Sequence, residues 1–227
     1  MRSITLDLET TGLDPYQGHK IIEIGCVELY NNFPTGKVWQ KYVNPKRNIP
    51  LEAYEIHGIS DEFLIDKPFF SDIADELLAF IEESTLIIHN ANFDLKFLNY
   101  EMEQINKKDL RGFKVIDTLA LAKKLFPGMP ANLDSLSRRY KVDLTKRKKH
   151  GALLDAEILA DVYLEMQGGR QQGMQLKVKA EEESSNKIDL LPDDYSKKIY
   201  QLKEQEIRLH KEMLLRIKKS ALEIKKF

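Results

Sequence analysis

Ser3-Ile4-Thr5-Leu6-Asp7-Leu8-Glu9 is the stretch on which the fold reading turns. Apolar Ile4, Leu6 and Leu8 alternate with polar Thr5, Asp7 and Glu9, the two-residue period of a half-buried strand. The same period places the Asp7 and Glu9 carboxylates on one face. Thr10-Thr11-Gly12 then ends the strand in a turn. Outward from there, residues 21–30 and 37–43 read as the next two strands, with Asn31, Asn32, Pro34 and Gly36 as the turn between them. Residues 51–57 fit a short helix. Residues 69–82 repeat apolar side chains at Ile73, Leu77, Leu78 and Ile81, the pattern of an amphipathic helix. A short buried strand at 86–88 precedes a helix from about Asn92. A fifth strand at 113–116 precedes helices near 118–125, 133–140 and 151–166. Three strands followed by helix–strand–helix–strand–helix predict an α/β domain with a mixed sheet over residues 1–169.

Bulk properties set the limits. A chain of 227 residues suits one domain plus an extension, and a 42% hydrophobic share is enough for a single core. The net charge of −1 does not by itself announce a nucleic-acid binder, so a local basic patch has to carry that role. The lone cysteine, Cys26, excludes an internal disulfide framework and fits a reducing compartment. No apolar run approaches the roughly 18 residues of a membrane span, and the N-terminus lacks the pattern of a signal peptide. A cytoplasmic protein with no membrane partner is expected. Composition shifts after the domain. Residues 168–173 are rich in Gly and Gln and 177–189 are charged, which predicts a linker over 170–192. Over 193–227, Tyr195, Ile199, Leu202, Leu209, Met213 and Ile217 recur at helical spacing. That stripe fits either a solvated helical tail or a helix that docks on a partner.

Acids at odd positions carry the chemistry. Asp7 and Glu9 taken alone fit the exposed polar face of an edge strand better than a metal site. Asp94, near the start of its helix, lies in line with Phe97 and Leu98 rather than with the solvent face. Asp155 lines up with Ile158, Leu159 and Val162 on the side of its helix that faces the core. A carboxylate there must be paired, hydrogen-bonded or bound to a metal. Four such acids in one pocket would raise each other's pKa unless divalent cations held them ionised. All-oxygen ligands favour Mg²⁺ or Mn²⁺ over Zn²⁺. His150 stands five residues before Asp155, so the two would diverge on a helix, and His150 is expected to enter from the preceding loop. A histidine can take a proton from an attacking water near neutral pH.

Asp7-Leu8-Glu9-Thr10-Thr11-Gly12, His89-Asn90-Ala91-Asn92-Phe93-Asp94 and His150-Gly151-Ala152-Leu153-Leu154-Asp155-Ala156 resemble the three motifs of the DEDD exonuclease family, in its histidine-bearing branch. Within that branch the chain is most similar to the proofreading epsilon subunits of bacterial DNA polymerase III. Residues 52–60, which include His57-Gly58-Ile59, also match, as do Asp117-Thr118-Leu119, Asn132-Leu133-Asp134-Ser135-Leu136 and residues 163–169. The likeness covers about residues 1–176. It implies a ribonuclease H-like fold with a five-stranded sheet flanked by helices. It further implies that Asp7, Glu9, Asp94 and Asp155 bind two divalent cations, with His150 as general base. One cation would lower the pKa of the attacking water and the other would stabilise the leaving 3′ oxygen, releasing nucleoside 5′-monophosphates. By the same resemblance, Asp7, Glu9, Thr10, Thr11, Glu52, His57, Asn90 and Asp155 would contact the terminal nucleotide of a DNA 3′ end. Gln171-Gln172-Gly173-Met174-Gln175-Leu176 resembles a sliding-clamp-binding peptide, with Gln171, Met174 and Leu176 as its contacts. The C-terminal segment would dock on the polymerase III catalytic subunit.

Arg138, Arg139, Lys141, Lys146, Arg147, Lys148 and Lys149 crowd the approach to His150, with Asp143 against them. Beside the expected base, this run reads as a phosphate-binding surface for single-stranded DNA. Such contacts would not select sequence. Two other readings share the motifs. One is a free-standing nuclease trimming RNA or short oligonucleotides, and the other is a polymerase's structural subunit without catalysis. The tail argues against the first and the full set of catalytic positions against the second.

Overall fold

The strand built from residues 2–10 is the middle strand of a five-stranded sheet. In the computed structural model, which describes residues 1–145, 147, 149–169, 204–205 and 208–213, the chain divides into two units, Met1–Gln175 and Leu176–Phe227. The first unit holds one five-stranded sheet of order β3-β2-β1-β4-β5. Strand β1 (Arg2–Thr10) pairs antiparallel with β2 (Ile21–Tyr30) and parallel with β4 (Thr85–Ile88). The edges are β3 (Phe33–Tyr42), antiparallel to β2, and β5 (Val115–Asp117), parallel to β4. The helices are α1 (Leu51–His57), α2 (Asp61–Leu64), α3 (Phe70–Ile81), α4 (Ala91–Gln104), α5 (Thr118–Leu125), α6 (Leu133–Tyr140) and α7 (Ala152–Met166). This is the mixed sheet flanked by helices that the element order predicts.

The two faces of β1 have different partners. Ile4, Leu6 and Leu8 join Phe70, Ile73 and Leu77 of α3 and Phe97 and Leu98 of α4 in one core. On the opposite face α7 covers the sheet, and Thr5 donates to the carbonyl of Ala156 at 2.8 Å. Thr5 is therefore fully buried, and β1 is covered on both sides rather than half-buried. Alternating polarity here marks a polar interior face that feeds the site, not a solvent face.

Three further expectations shift. Strand β3 begins at Phe33, so Pro34 and Gly36 belong to it and Asn31-Asn32 alone make the hairpin turn. Both asparagines adopt the positive φ that such a turn needs (52° and 70°), and Pro34 is tolerated because β3 is an edge. Strand β5 starts two residues later than expected, because the Phe113 N–H closes a turn on the Leu110 carbonyl. The 3₁₀ turn Pro15–Gln17 and α2 are too short for periodicity to reveal, and they rest on caps from Asp14 and Ser60.

Close approach of α7 to the sheet depends on Gly25, which is paired with Asp7 in the β1–β2 ladder. A Cβ at Gly25 would lie 2.2 Å from the Leu153 nitrogen and 2.3 Å from the Ala152 carbonyl carbon. Backbone atoms cannot yield as a side chain can, so Gly25→Ala must push the start of α7 off β2. Overpacking of this kind costs about 1–3 kcal/mol or more. The expected result is a lower melting temperature together with a loss of activity beyond what unfolding explains, because Asp155 moves with α7. An unchanged melting curve would contradict this packing.

Candidate active site

Glu9, Asp155 and His150 meet at the C-terminal end of β1, with Asp7 and Asp94 near enough for the acids' charges to act on one another. Asp7 and Glu9 project from β1 toward α7. Asp155 stands in the first turn of α7, and Asp94 in the first turn of α4. Glu23, opposite Glu9 in the ladder, fixes where α7 begins. Its Oε2 accepts the Ala152 N–H at 3.1 Å, while Gln40 donates to its Oε1 at 2.6 Å. The turn into α4 is held separately. Asn90 has a left-handed conformation (φ 67°) and donates its N–H to Asp117 Oδ1 at 3.2 Å. His89 Nδ1 lies 2.9 Å from the Thr118 hydroxyl. These contacts let α4 turn back over the sheet and aim Asp94 at the β1 acids.

The cluster is electrostatically strained. Burial first, then the charges of Asp94, Asp155 and Glu9, hold the Asp7 carboxyl well above the usual range. Burial and the Asp155 charge push Glu9 to about 8. Asp94 is raised by burial and by Glu9, against hydrogen bonds from its own backbone and that of Leu8. Asp155 is the exception. Burial works to raise it, but hydrogen bonds from His150 and Arg147 outweigh burial and hold it low. Ligand atoms of Glu9, His150 and Asp155 lie within 4.8 Å of one another, close enough to share one ion. Carboxylate oxygens gathered in this way suit hard divalent cations, and such cations would relieve the repulsion.

A pH dependence follows. A raised Glu9 favours the protonated form in the fold, so its contribution to stability is present below its ordinary value and is lost as pH rises through about 8. Asp7 and Asp94 act with the same sign. His57 and His89 are lowered and act with the opposite sign, but only below about 6.5, their ordinary value. In chelator, the melting temperature should therefore fall between about pH 6.5 and 8, and saturating Mn²⁺ should flatten that slope. A stability that rises with pH in chelator over this window would contradict the strained cluster.

His150 reaches the acids from the loop before α7, as expected, with Nδ1 3.1 Å from Asp155 Oδ2. Hydrogen bonding to Asp155 raises its pKa against the effect of burial. Arg147 Nη2 lies 2.8 Å from the same Nδ1. A bare Nδ1 accepts from the guanidinium and a protonated one donates to the carboxylate, so it does one or the other. Arg147 itself is buried against Asp155, with Nε 2.6 Å from Oδ1 and Nη2 2.8 Å from Oδ2. Its Nη1 pairs with Asp134 of α6.

Beside the cluster lies a cleft of about 570 Å³, within the range that encloses a small ligand. Glu9, Thr10, Thr11, Glu52 and His57 line it, together with apolar Leu13, Ile56 and Phe93. His57 is buried, and its Nδ1 accepts the Ile59 N–H at 2.9 Å. Nε2 then carries the proton and has no hydrogen-bond partner in the structure. Burial and nearby Lys149 lower this imidazole to about 4, so it is neutral. Two other predicted contacts are already engaged. Thr10 donates to the Gly12 carbonyl at 2.7 Å. Thr11 is fully buried, donates its N–H to the Lys20 carbonyl and accepts the Lys20 N–H on its hydroxyl. Asn90 is exposed and is not part of the cleft lining.

The basic run does not form the uniform phosphate surface expected of it. Arg147 is enclosed by Asp155 and Asp134, acids brought in by the fold, so Asp143 is not the only acid opposing the run. Arg139 stacks on Phe126 at 4.1 Å, and Lys149 reaches over the Tyr54 ring at 5.1 Å. Arg138, Lys141 and Lys149 remain exposed, while Lys146 and Lys148 lie outside the described residues. So do Gln171, Met174 and Leu176 of the clamp-type peptide, the linker beyond 169, and Tyr195, Ile199, Leu202 and Ile217 of the tail. Within the second unit, residues 208–213 are helical and expose Leu209 and Met213. Among the described residues, no helix is long and apolar enough to cross a membrane. Glu23 and Gly25, which position α7, were not singled out by the sequence pattern. An acid and a glycine inside an otherwise apolar strand were the available signal.

Comparison with known proteins places this geometry. The exonuclease family model matches residues 4–163. The DNA polymerase III subunit epsilon of Rickettsia conorii is 48% identical over 97% of this chain and 98% of its own length. That of Salmonella typhimurium is 51% identical over 74% of this chain and 72% of its own. Among solved structures, the nuclease domain of 3′hExo, a DEDDh family member bound to rAMP, superposes with a TM-score of 0.63 at 19% identity, over 74% of this chain and 92% of that one. This shared fold is the expected ribonuclease H-like one. The chain belongs to the exonuclease family and, within it, to the DNA polymerase III epsilon subunits.

Proposed function

We propose that the protein removes mismatched 3′-terminal nucleotides from DNA during replication, as the 3′→5′ proofreading exonuclease of DNA polymerase III. The observation that carries this reading is the gathering of Asp7, Glu9, Asp94, Asp155 and His150, drawn from β1, α4, α7 and the loop before α7, beside a nucleotide-sized cleft. Asp7, Glu9, Asp94 and Asp155 would hold two divalent cations, Mg²⁺ or Mn²⁺. When bound, these would acidify the attacking water and stabilise the leaving 3′ oxygen.

The chain's own groups do the rest. The cleft takes the terminal nucleoside, with Leu13, Ile56 and Phe93 against the base. Apolar contact of this kind accepts any base, as proofreading requires. The His57 Nε2–H offers a donor that does not change with pH near neutrality, and the Glu52 carboxylate offers an acceptor for the 3′-hydroxyl. Asp155 orients His150 through Nδ1, which leaves Nε2 to receive the proton of the attacking water. Exposed Arg138, Lys141 and Lys149 would steer the phosphates of a frayed strand toward the site. A cytoplasmic location follows from the polymerase partner, and residues 171–176 would add contact with the sliding clamp.

The test is release of monophosphates from a mismatched DNA primer in Mg²⁺, compared with an RNA primer of the same sequence. Preference for the DNA primer is expected. Activity on RNA alone would point to an RNA-trimming enzyme, and no activity on either to a structural subunit. Deleting residues 177–227 should leave nuclease activity intact and weaken co-purification with the polymerase catalytic subunit. Equal co-purification would assign docking elsewhere.

A further inference from the structure

The catalytic cluster contains a cation of its own. The Arg147 side chain is only 8% exposed, and its nitrogens engage both oxygens of Asp155, at 2.6 and 2.8 Å. The same guanidinium touches His150 Nδ1 at 2.8 Å. Asp155 is one of the three groups whose ligand atoms lie within 4.8 Å of one another, and the guanidinium engages both of its oxygens, the atoms a divalent cation would take. Any divalent cation that takes an Asp155 oxygen must displace part of this fork. Its far side, Nη1, is paired with Asp134, a partly exposed acid on α6 outside the cluster. Arg147 also lies in a loop, in neither helix nor strand. The Nε–Oδ1 contact is an ion pair without an aligned hydrogen bond, which makes it the easier contact to exchange.

We propose that Arg147 is a tethered counter-ion that trades places with a divalent cation at Asp155, with Asp134 as its tether. Without metal it neutralises part of a cluster that would otherwise repel itself. With metal it gives up Asp155 and pivots on Asp134 rather than leaving the site. This rests on the reading that Asp155 is a metal ligand. It adds that the protein sets its own metal affinity by competition. If the guanidinium holds Asp155 about nine-tenths of the time, apparent metal affinity is lowered about tenfold.

The experiment is calorimetric titration of Mn²⁺ into the full-length protein and its R147Q and R147K variants, with thermal melts in chelator and in saturating Mn²⁺. R147Q should bind Mn²⁺ about tenfold more tightly. R147K keeps the charge but loses the fork, and should fall between R147Q and the unaltered protein. R147K is the decisive variant. If Arg147 acted only through its field, the retained charge would leave Mn²⁺ binding unchanged, whereas losing the fork strengthens it if Arg147 competes. R147Q should melt lower than the unaltered protein in chelator and equal to it in Mn²⁺. Mn²⁺ binding by R147K no tighter than by the unaltered protein would overturn the proposal, as would an R147Q melting point lowered equally in both conditions. If neither the unaltered protein nor R147Q binds Mn²⁺, the metal-site reading itself fails.

Discussion

Asp7→Ala is expected to abolish hydrolysis while leaving the fold intact. Asp7 sits at the centre of the cluster, under the charges of Asp94, Asp155 and Glu9, so no neighbour can take over its geometry. Electrostatic stabilisation at such a site is worth roughly a thousandfold in rate or more. The same burial predicts an opposite effect on stability. The ionised Asp7 carboxylate is unfavourable without a cation, so its removal should raise the melting temperature in chelator. Each kcal/mol relieved corresponds to roughly 2–4 °C for a chain of this size. Loss of activity with a gain in metal-free stability is the signature of a site kept strained for function. Primer degradation and thermal melts in chelator check the two halves. Retained turnover would remove Asp7 from the site, and a lowered melting temperature would make it a structural acid.

His150→Ala is expected to lower turnover by roughly 10²–10⁴-fold, the usual contribution of a general base. Asp155 engages Nδ1 and raises the pKa, so the base carries a proton to a higher pH than a free histidine does. Activity of the unaltered enzyme should therefore rise with pH through and above the ordinary histidine range. In His150→Ala that limb should vanish, leaving a slow rate that no longer depends on pH there. Mn²⁺ affinity should change far less than in Asp7→Ala. A variant that keeps the rising limb would show that another group takes the proton.

The parts of this protein written in local pattern were legible in its sequence. Alternation in residues 3–9 located β1, and the core-facing placement of Asp94 and Asp155 marked them as acids with a task. The three ordered motifs then supplied the family. What was not legible depends on contacts between distant segments. Gly25 lies among apolar strand residues, and only the position of Ala152 and Leu153, more than a hundred residues later, shows why it has no side chain. Glu23 looks like any strand acid until its carboxylate is seen capping α7. Arg147 is one of several basic residues in a row, and nothing local separates it from its lysine neighbours. The fold does so by bringing Asp134 and Asp155 to its two sides. Thr10 and Thr11 show the converse, for they sit at the cleft as the motif implies, yet their hydroxyls already serve the turn.

The most direct measurement is anomalous diffraction from crystals of the full-length protein grown with Mn²⁺ and a nucleoside 5′-monophosphate. Two manganese peaks enclosed by Asp7, Glu9, Asp94 and Asp155, with the nucleoside in the cleft against His57, are the expected result. Manganese bound away from these four carboxylates, or a nucleotide seated elsewhere while the cleft stays empty, would contradict the account.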